Sequence, residues 1–137
     1  MIRVVLDTNV LVSALLQPKG FPAQAFLIAL AGTTAHLCLS GDIYAEYEEV
    51  IQRPKFDRSK TVVEQALGAI RRNGVWVRPS EKVTACSDPD DNIFLECAQA
   101  ARAQYVVTGN LKDFPAKWVE TKIVTARQFV EAMTNIR

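Results

Sequence analysis

The side chains of this sequence best placed to do chemistry are carboxylates. Asp7 directly follows the apolar run Val4-Val5-Leu6, Glu46 opens an acidic stretch with Glu48 and Glu49, and Asp88, Asp90 and Asp91 crowd one short segment. Asp113 comes three residues after Asn110, just past Thr108. Oxygen donors of this kind select hard cations such as Mg2+ or Mn2+. A cation so held can polarise a phosphate and acidify a bound water. Each acid also has a plainer explanation. Asp7-Thr8-Asn9 all favour helix starts. A helix N-terminus rewards one or two of the three clustered aspartates, and Asn110 and Asp113 suit a turn. Glu48 and Glu49 read as a solvated face, whereas Glu46 lies at the edge of the stripe formed by Ile43, Tyr47 and Val50. Periodicity leaves Asp90 and Asp91 open as alternatives.

Other chemistries lack their groups. His36 is the only histidine and sits between apolar residues, as a strand position would, so a tetrahedral zinc site has no ligand set. Cys38, Cys86 and Cys97 show no CxxC spacing and read as idle thiols of a reducing cytoplasm. The marks of serine hydrolases, P-loop enzymes and dinucleotide binders are missing.

The elements that must position these acids alternate between strand-like and helix-like periods. Arg3 to Leu6 suits a buried parallel strand. Asn9 to Leu16 reads as a helix closed by Gln17-Pro18-Lys19-Gly20, and Pro22 fits the first turn of a second helix reaching about Ala31. Ala35 to Leu39 is a second strand, followed by a helix from about Ile43 to Gln52 that Arg53-Pro54-Lys55 breaks. A helix from about Ser59 to Arg72 ends at Asn73-Gly74, the expected left-handed stop. Val75 to Arg78 gives a third strand. Pro89 to Ala103 gives a helix capped by Asp88, Gln104 to Thr108 a fourth strand, and Lys122 to Val124 a fifth. Thr125 and Gln128 have capping-box spacing for a last helix to about Asn135. The expected fold is a three-layer α/β/α sandwich with a central parallel sheet of four to five strands, as one domain over residues 1–137.

Composition agrees with a globular protein. The 137 residues are 49% hydrophobic, with 16 Lys and Arg against 15 Asp and Glu, which excludes a polycation that binds nucleic acid by bulk charge. The net +1 conceals a separation. Seven basic residues fall between Arg53 and Arg78 against Asp57 and Glu64, and five acids between Glu81 and Glu96 against Lys82. An acidic centre beside a basic surface is what an enzyme acting on a phosphate backbone requires. No signal sequence or membrane-length apolar run is visible, so a cytoplasmic location and no membrane contact are expected.

Val4-Val5-Leu6-Asp7-Thr8-Asn9-Val10 resembles the opening of a PIN domain. Asp91 with its alanine-rich helix, Tyr105-Val106-Val107-Thr108-Gly109-Asn110 and Asp113-Phe114 resemble the later half of that family. Ala45-Glu46-Tyr47 followed by Arg53-Pro54-Lys55-Phe56 is similar to the branch of toxins in bacterial toxin–antitoxin systems. The resemblance implies an Mg2+- or Mn2+-dependent endoribonuclease with Asp7, Glu46 and Asp91 as its acidic triad. Asp91 is chosen over Asp90 because it precedes Ala98 at the family's spacing. Many relatives carry aspartate where this chain has Asn110, so Asp113 is the candidate fourth acid. Thr8, Asn9, Thr108 and Asn110 match supporting positions, and Arg53 and Lys55 are candidate substrate contacts. A cognate antitoxin and a homodimer are the partners the resemblance implies besides RNA. The alternative is a catalytically weak PIN-like domain that binds RNA or protein. A carboxylate phosphatase of another α/β fold is disfavoured, because Asn9 stands where its second aspartate belongs.

Overall fold

The computed structural model describes residues 1–54 and 59–135. In chain order its elements are β1 (Ile2–Leu6), α1 (Thr8–Leu16), α2 (Phe21–Ala31), β2 (Ala35–Leu39), α3 (Gly41–Ile51), α4 (Lys60–Asn73) and β3 (Val75–Trp76). There follow α5 (Asn92–Ala101), β4 (Tyr105–Val107), β5 (Lys117–Trp118), β6 (Thr121–Val124) and α6 (Ala126–Thr134), with short 3-10 turns at Pro89–Asp91 and Leu111–Asp113. The strands form one sheet in the order β3-β2-β1-β4-β6-β5, parallel except for β5. Six strands rather than four to five make up the α/β/α sandwich.

Val4, Val5, Val106 and Val107 are fully buried, because helices cover both faces of the central strands. α2 and α6 pack together on one side, and α5 lies against β1, β2 and β4 from the other. Phe94, Phe129, Leu37 and Ile43 fill the layers between. Parallel pairing aligns the strand ends. Leu6 lies level with Val107, and Val107 with Val124; Leu39 lies level with Trp76 on the far side. The residues one step further, Ser40, Asp7, Thr108 and Thr125, therefore form a polar row along the carboxyl edge. Open α/β sheets bind ligands at this edge.

Three local expectations are corrected. The third strand stops at Trp76, two residues before Arg78. The region expected as one helix from Pro89 begins as a 3-10 turn whose N-cap, Asp88, accepts from the Asp90 amide at 2.9 Å; α5 itself starts at Asn92. Gly74 is not a left-handed stop, since its φ is −72°. It is needed for closeness: a Cβ there would lie 2.4 Å from Leu39 Cδ2 and 2.7 Å from the Ile70 carbonyl oxygen. Gly74→Ala is therefore expected to cost about 2 kcal/mol, visible as a lower denaturation midpoint with an unchanged slope.

Candidate active site

Asp7 is the N-cap of α1 and makes no side-chain capping hydrogen bond. Asp91 closes the 3-10 turn that runs into α5, a stretch whose cap is Asp88. Elsewhere Ser40, Ser59 and Thr125 each accept from an amide of their own helix, and Gly20 before α2 has no side chain to do so. A capping role therefore belongs to Asp88 and not to Asp7 or Asp91.

Asp7 is 5% exposed and accepts a hydrogen bond on Oδ2 from the Thr108 hydroxyl at 2.7 Å. Burial pushes its pKa from 3.8 up to about 6, with repulsion from Glu46 adding to the rise. The Thr108 hydroxyl and the nearby amides of Thr8 and Asn9 act in the opposite sense. Asp91 rises from 3.8 to about 7 through desolvation and then repulsion from Asp7, Asp88, Asp113 and Glu46, in that order. Those four acids therefore share its neighbourhood. Asp90 is exposed and is not among the acids that raise it.

The supporting residues tie the acids down. Thr8 donates its hydroxyl to Glu46, joining α1 to α3. Asn9 Oδ1 accepts from the Gly109 amide at 3.1 Å, and the Thr108 oxygen accepts from the Asn110 amide at 3.0 Å. Asn110 itself is exposed. Asp113 lies in the 3-10 turn beyond it, and its carbonyl accepts from Ser87 across the site at 3.2 Å. Arg53 is not brought to the acids; it closes the end of α3 and pairs with Glu49 at 2.8 Å. Lys55 lies outside the described residues.

Two positioning residues escape a reading of the sequence. Tyr47, 1% exposed, donates its hydroxyl to the Leu6 carbonyl at 2.5 Å, locking α3 to the residue before Asp7. Its place in the apolar stripe of α3 hid that polar contact. Asn92 Oδ1 accepts from the amides of Ala85 and Cys86 at 3.1 and 2.9 Å, folding the loop onto the start of α5. A buried amide just after three aspartates was the available signal. Asn92→Ala is expected to cost about 2 kcal/mol, as two amides lose their acceptor, and to speed hydrogen exchange at residues 85 and 86.

The donor set fits a hard cation. It is all oxygen, two members are lifted by burial first and by neighbouring acids second, and the only ion pairs among the described residues are Arg53–Glu49 and Arg127–Glu131. No three Asp, Glu, His or Cys side chains among those residues are grouped to enclose one ion. A cavity of about 430 Å3 opens beside Asn9, Thr108 and Asn110, with Phe21 and Arg127 on its wall. No helix among the described residues is long and apolar enough to cross a membrane.

The uncharacterized protein MJ1680 of Methanocaldococcus jannaschii is 27% identical over 142 aligned positions, which cover 95% of this chain and 90% of that protein. A family model described as PIN domain matches residues 3–112. That match runs from β1 past Asn110, and so contains Asp7, Glu46, Asp91 and Thr108. With a parallel sheet that delivers these acids to its carboxyl edge, the chain belongs to the PIN domain family, whose members are generally nucleases.

Proposed function

We propose that the chain is a metal-dependent endoribonuclease, folded as one domain, and that it serves as the toxin of a toxin–antitoxin pair. The observation that carries this reading is the pair Asp7 and Asp91, each raised in pKa by burial first and by other acids second. Holding carboxylates this way costs stability, and a bound cation would recover it.

Asp7 and Asp91 would hold Mg2+ or Mn2+, with Glu46 and Asp113 at its border. When bound, the cation polarises the scissile phosphate and acidifies water for in-line attack. Thr108 would keep Asp7 oriented through its hydroxyl. Thr8 orients Glu46, which positions the attacking water and takes up its proton. Cleavage in this sense leaves a 5′-phosphate and a 3′-hydroxyl.

Purified protein should cut RNA with Mg2+ or Mn2+ and stop when chelator is added. Cleavage that is indifferent to chelator would overturn the reading. Asn110, in the position where many relatives carry a fourth acid, favours a second reading as an RNA- or protein-binding module. Calorimetry separates the two: absence of heat with millimolar Mg2+ favours the module. Copurification with a small protein encoded beside it would support the antitoxin. Sedimentation tests the homodimer.

A further inference from the structure

Residues 77–88, between β3 and the turn at Pro89–Asp91, have no helix or strand of their own, yet they form a strap that is held at several points. Side chains of α5 supply most of the hold. Asn92, Glu96 and Gln99 stand at i, i+4 and i+7, on one face of that helix. Gln99 donates to the Glu81 carboxylate at 2.8 Å, Glu96 Oε2 accepts from the Val83 amide at 3.0 Å, and Asn92 accepts from the amides of Ala85 and Cys86. The partners follow in opposite order along the two segments, so the strap runs antiparallel to α5. Its end therefore arrives where α5 begins, beside Asp91.

Glu96 is the unexpected member. It is 7% exposed and forms no ion pair among the described residues. A buried carboxylate without a cation costs stability. What it adds is a charge-assisted bond to a main-chain amide, stronger than a neutral one. That bond fixes Val83, itself buried, against the helix.

Beyond Cys86 the strap reaches the other side of the site. Ser87 donates its amide to the Asp113 carbonyl at 3.2 Å. The turn that carries Asp113 makes its other main-chain bonds within itself, from Asp113 to Asn110 at 3.0 Å and from Phe114 to Leu111 at 3.2 Å. Among the described residues, the Ser87 bond is the one hydrogen bond that joins residues 110–114 to a distant segment. Buried Phe114 anchors the far end of the turn.

We propose that Asn92 and Glu96 are positioning residues that act through the strap: they set residues 83–86 along α5, which brings Ser87 against the Asp113 carbonyl and keeps the Asp113 turn beside the start of α5. This rests on the metal-dependent reading of the acids. It adds to that reading how the candidate fourth acid, carried on a short turn, is held in place.

Calorimetry of Mg2+ binding to the full chain, without RNA, tests the proposal. Glu96→Met removes the acceptor and should weaken Mg2+ binding about tenfold, the low end of the effect of residues that orient metal ligands. Glu96→Gln keeps an acceptor for the Val83 amide and should bind as the parent does. In an Asp113→Asn background Glu96→Met should add nothing, because the path it acts through is already cut. Parental affinity in Glu96→Met, or an equal loss in both backgrounds, overturns the strap as a positioning device. A measurement on the unaltered chain covers a Glu96→Met variant that fails to fold. Coupling is reciprocal, so Mg2+ must in turn stabilise the strap, and hydrogen exchange at Val83, Ala85, Cys86 and Ser87 should slow together by the same factor of about ten. Exchange at residues 83–86 that ignores Mg2+ overturns the proposal alone, provided calorimetry shows binding. No heat from the unaltered chain removes the metal reading, and the proposal with it.

Discussion

Asp7→Asn is expected to lower metal-dependent RNA cleavage by about a hundredfold or more, on the scale of losing one preorganised charge at a reacting centre, while the protein stays folded. The substitution keeps the volume of the side chain and leaves an oxygen to accept from Thr108. What it removes is the charge. Stability should move the other way. Asp7 titrates at about 6 in the folded chain against 3.8 as its ordinary value, so its ionised form at pH 8 costs the fold about 3 kcal/mol. Asparagine carries no such charge, and part of that cost should return as a higher melting temperature. Cleavage by a folded variant at the parental rate would remove Asp7 from the proposed chemistry.

Without divalent cation, stability is expected to fall as pH rises from about 4 to about 7. Both Asp7 and Asp91 hold their protons more tightly when folded, at about 6 and about 7, than at the ordinary 3.8. Below 3.8 both are protonated in either state, and the folded chain escapes the cost of their charges. Through the window above it the unfolded chain has released these protons and the folded chain has not, so the advantage shrinks until the folded pKa values are passed. At pH 8, Mg2+ at a hundredfold excess over its dissociation constant should stabilise the fold by about 3 kcal/mol, seen as a higher melting temperature. Near pH 5 the rise should be much smaller. An Asp7→Asn, Asp91→Asn double variant should lose both the pH slope and the response to Mg2+. A parental response in that variant would place the cation elsewhere.

The central strands could be read from the sequence because burial on both faces makes them continuous apolar runs, as Val4-Val5-Leu6 and Val106-Val107 are. The capping box at Thr125 and Gln128 forms as its spacing foretold. Edge elements were harder. β5 is only Lys117-Trp118, folded back on Thr121-Lys122, and the turn between them uses Val119 at a φ of 54°, a residue that gives no turn signal. Asp90 and Asp91 stayed undecided for a related reason. They lie in a 3-10 turn, where three residues complete a revolution, so an α-helical wheel assigns their directions wrongly. Glu46 could be singled out because α3 is regular and its apolar face fixes the angle. Thr108 was visible as a strand-end residue, but its bond to Asp7 spans a separation no local pattern carries.

The place of β4 in the sheet bears on how the protein is made. β4 is inserted between β1 and β6, although its residues follow those of β1 by about a hundred positions. Thr108, whose hydroxyl donates to Asp7, arrives with it. During synthesis the ribosome would release β1, α3 and their acids long before the strand that orients them. A nascent chain would then hold every member of the acidic triad once Asp91 has emerged, and still lack the arrangement that makes them a catalyst. For the ribonuclease proposed above, that delay would keep the growing chain harmless to its own message.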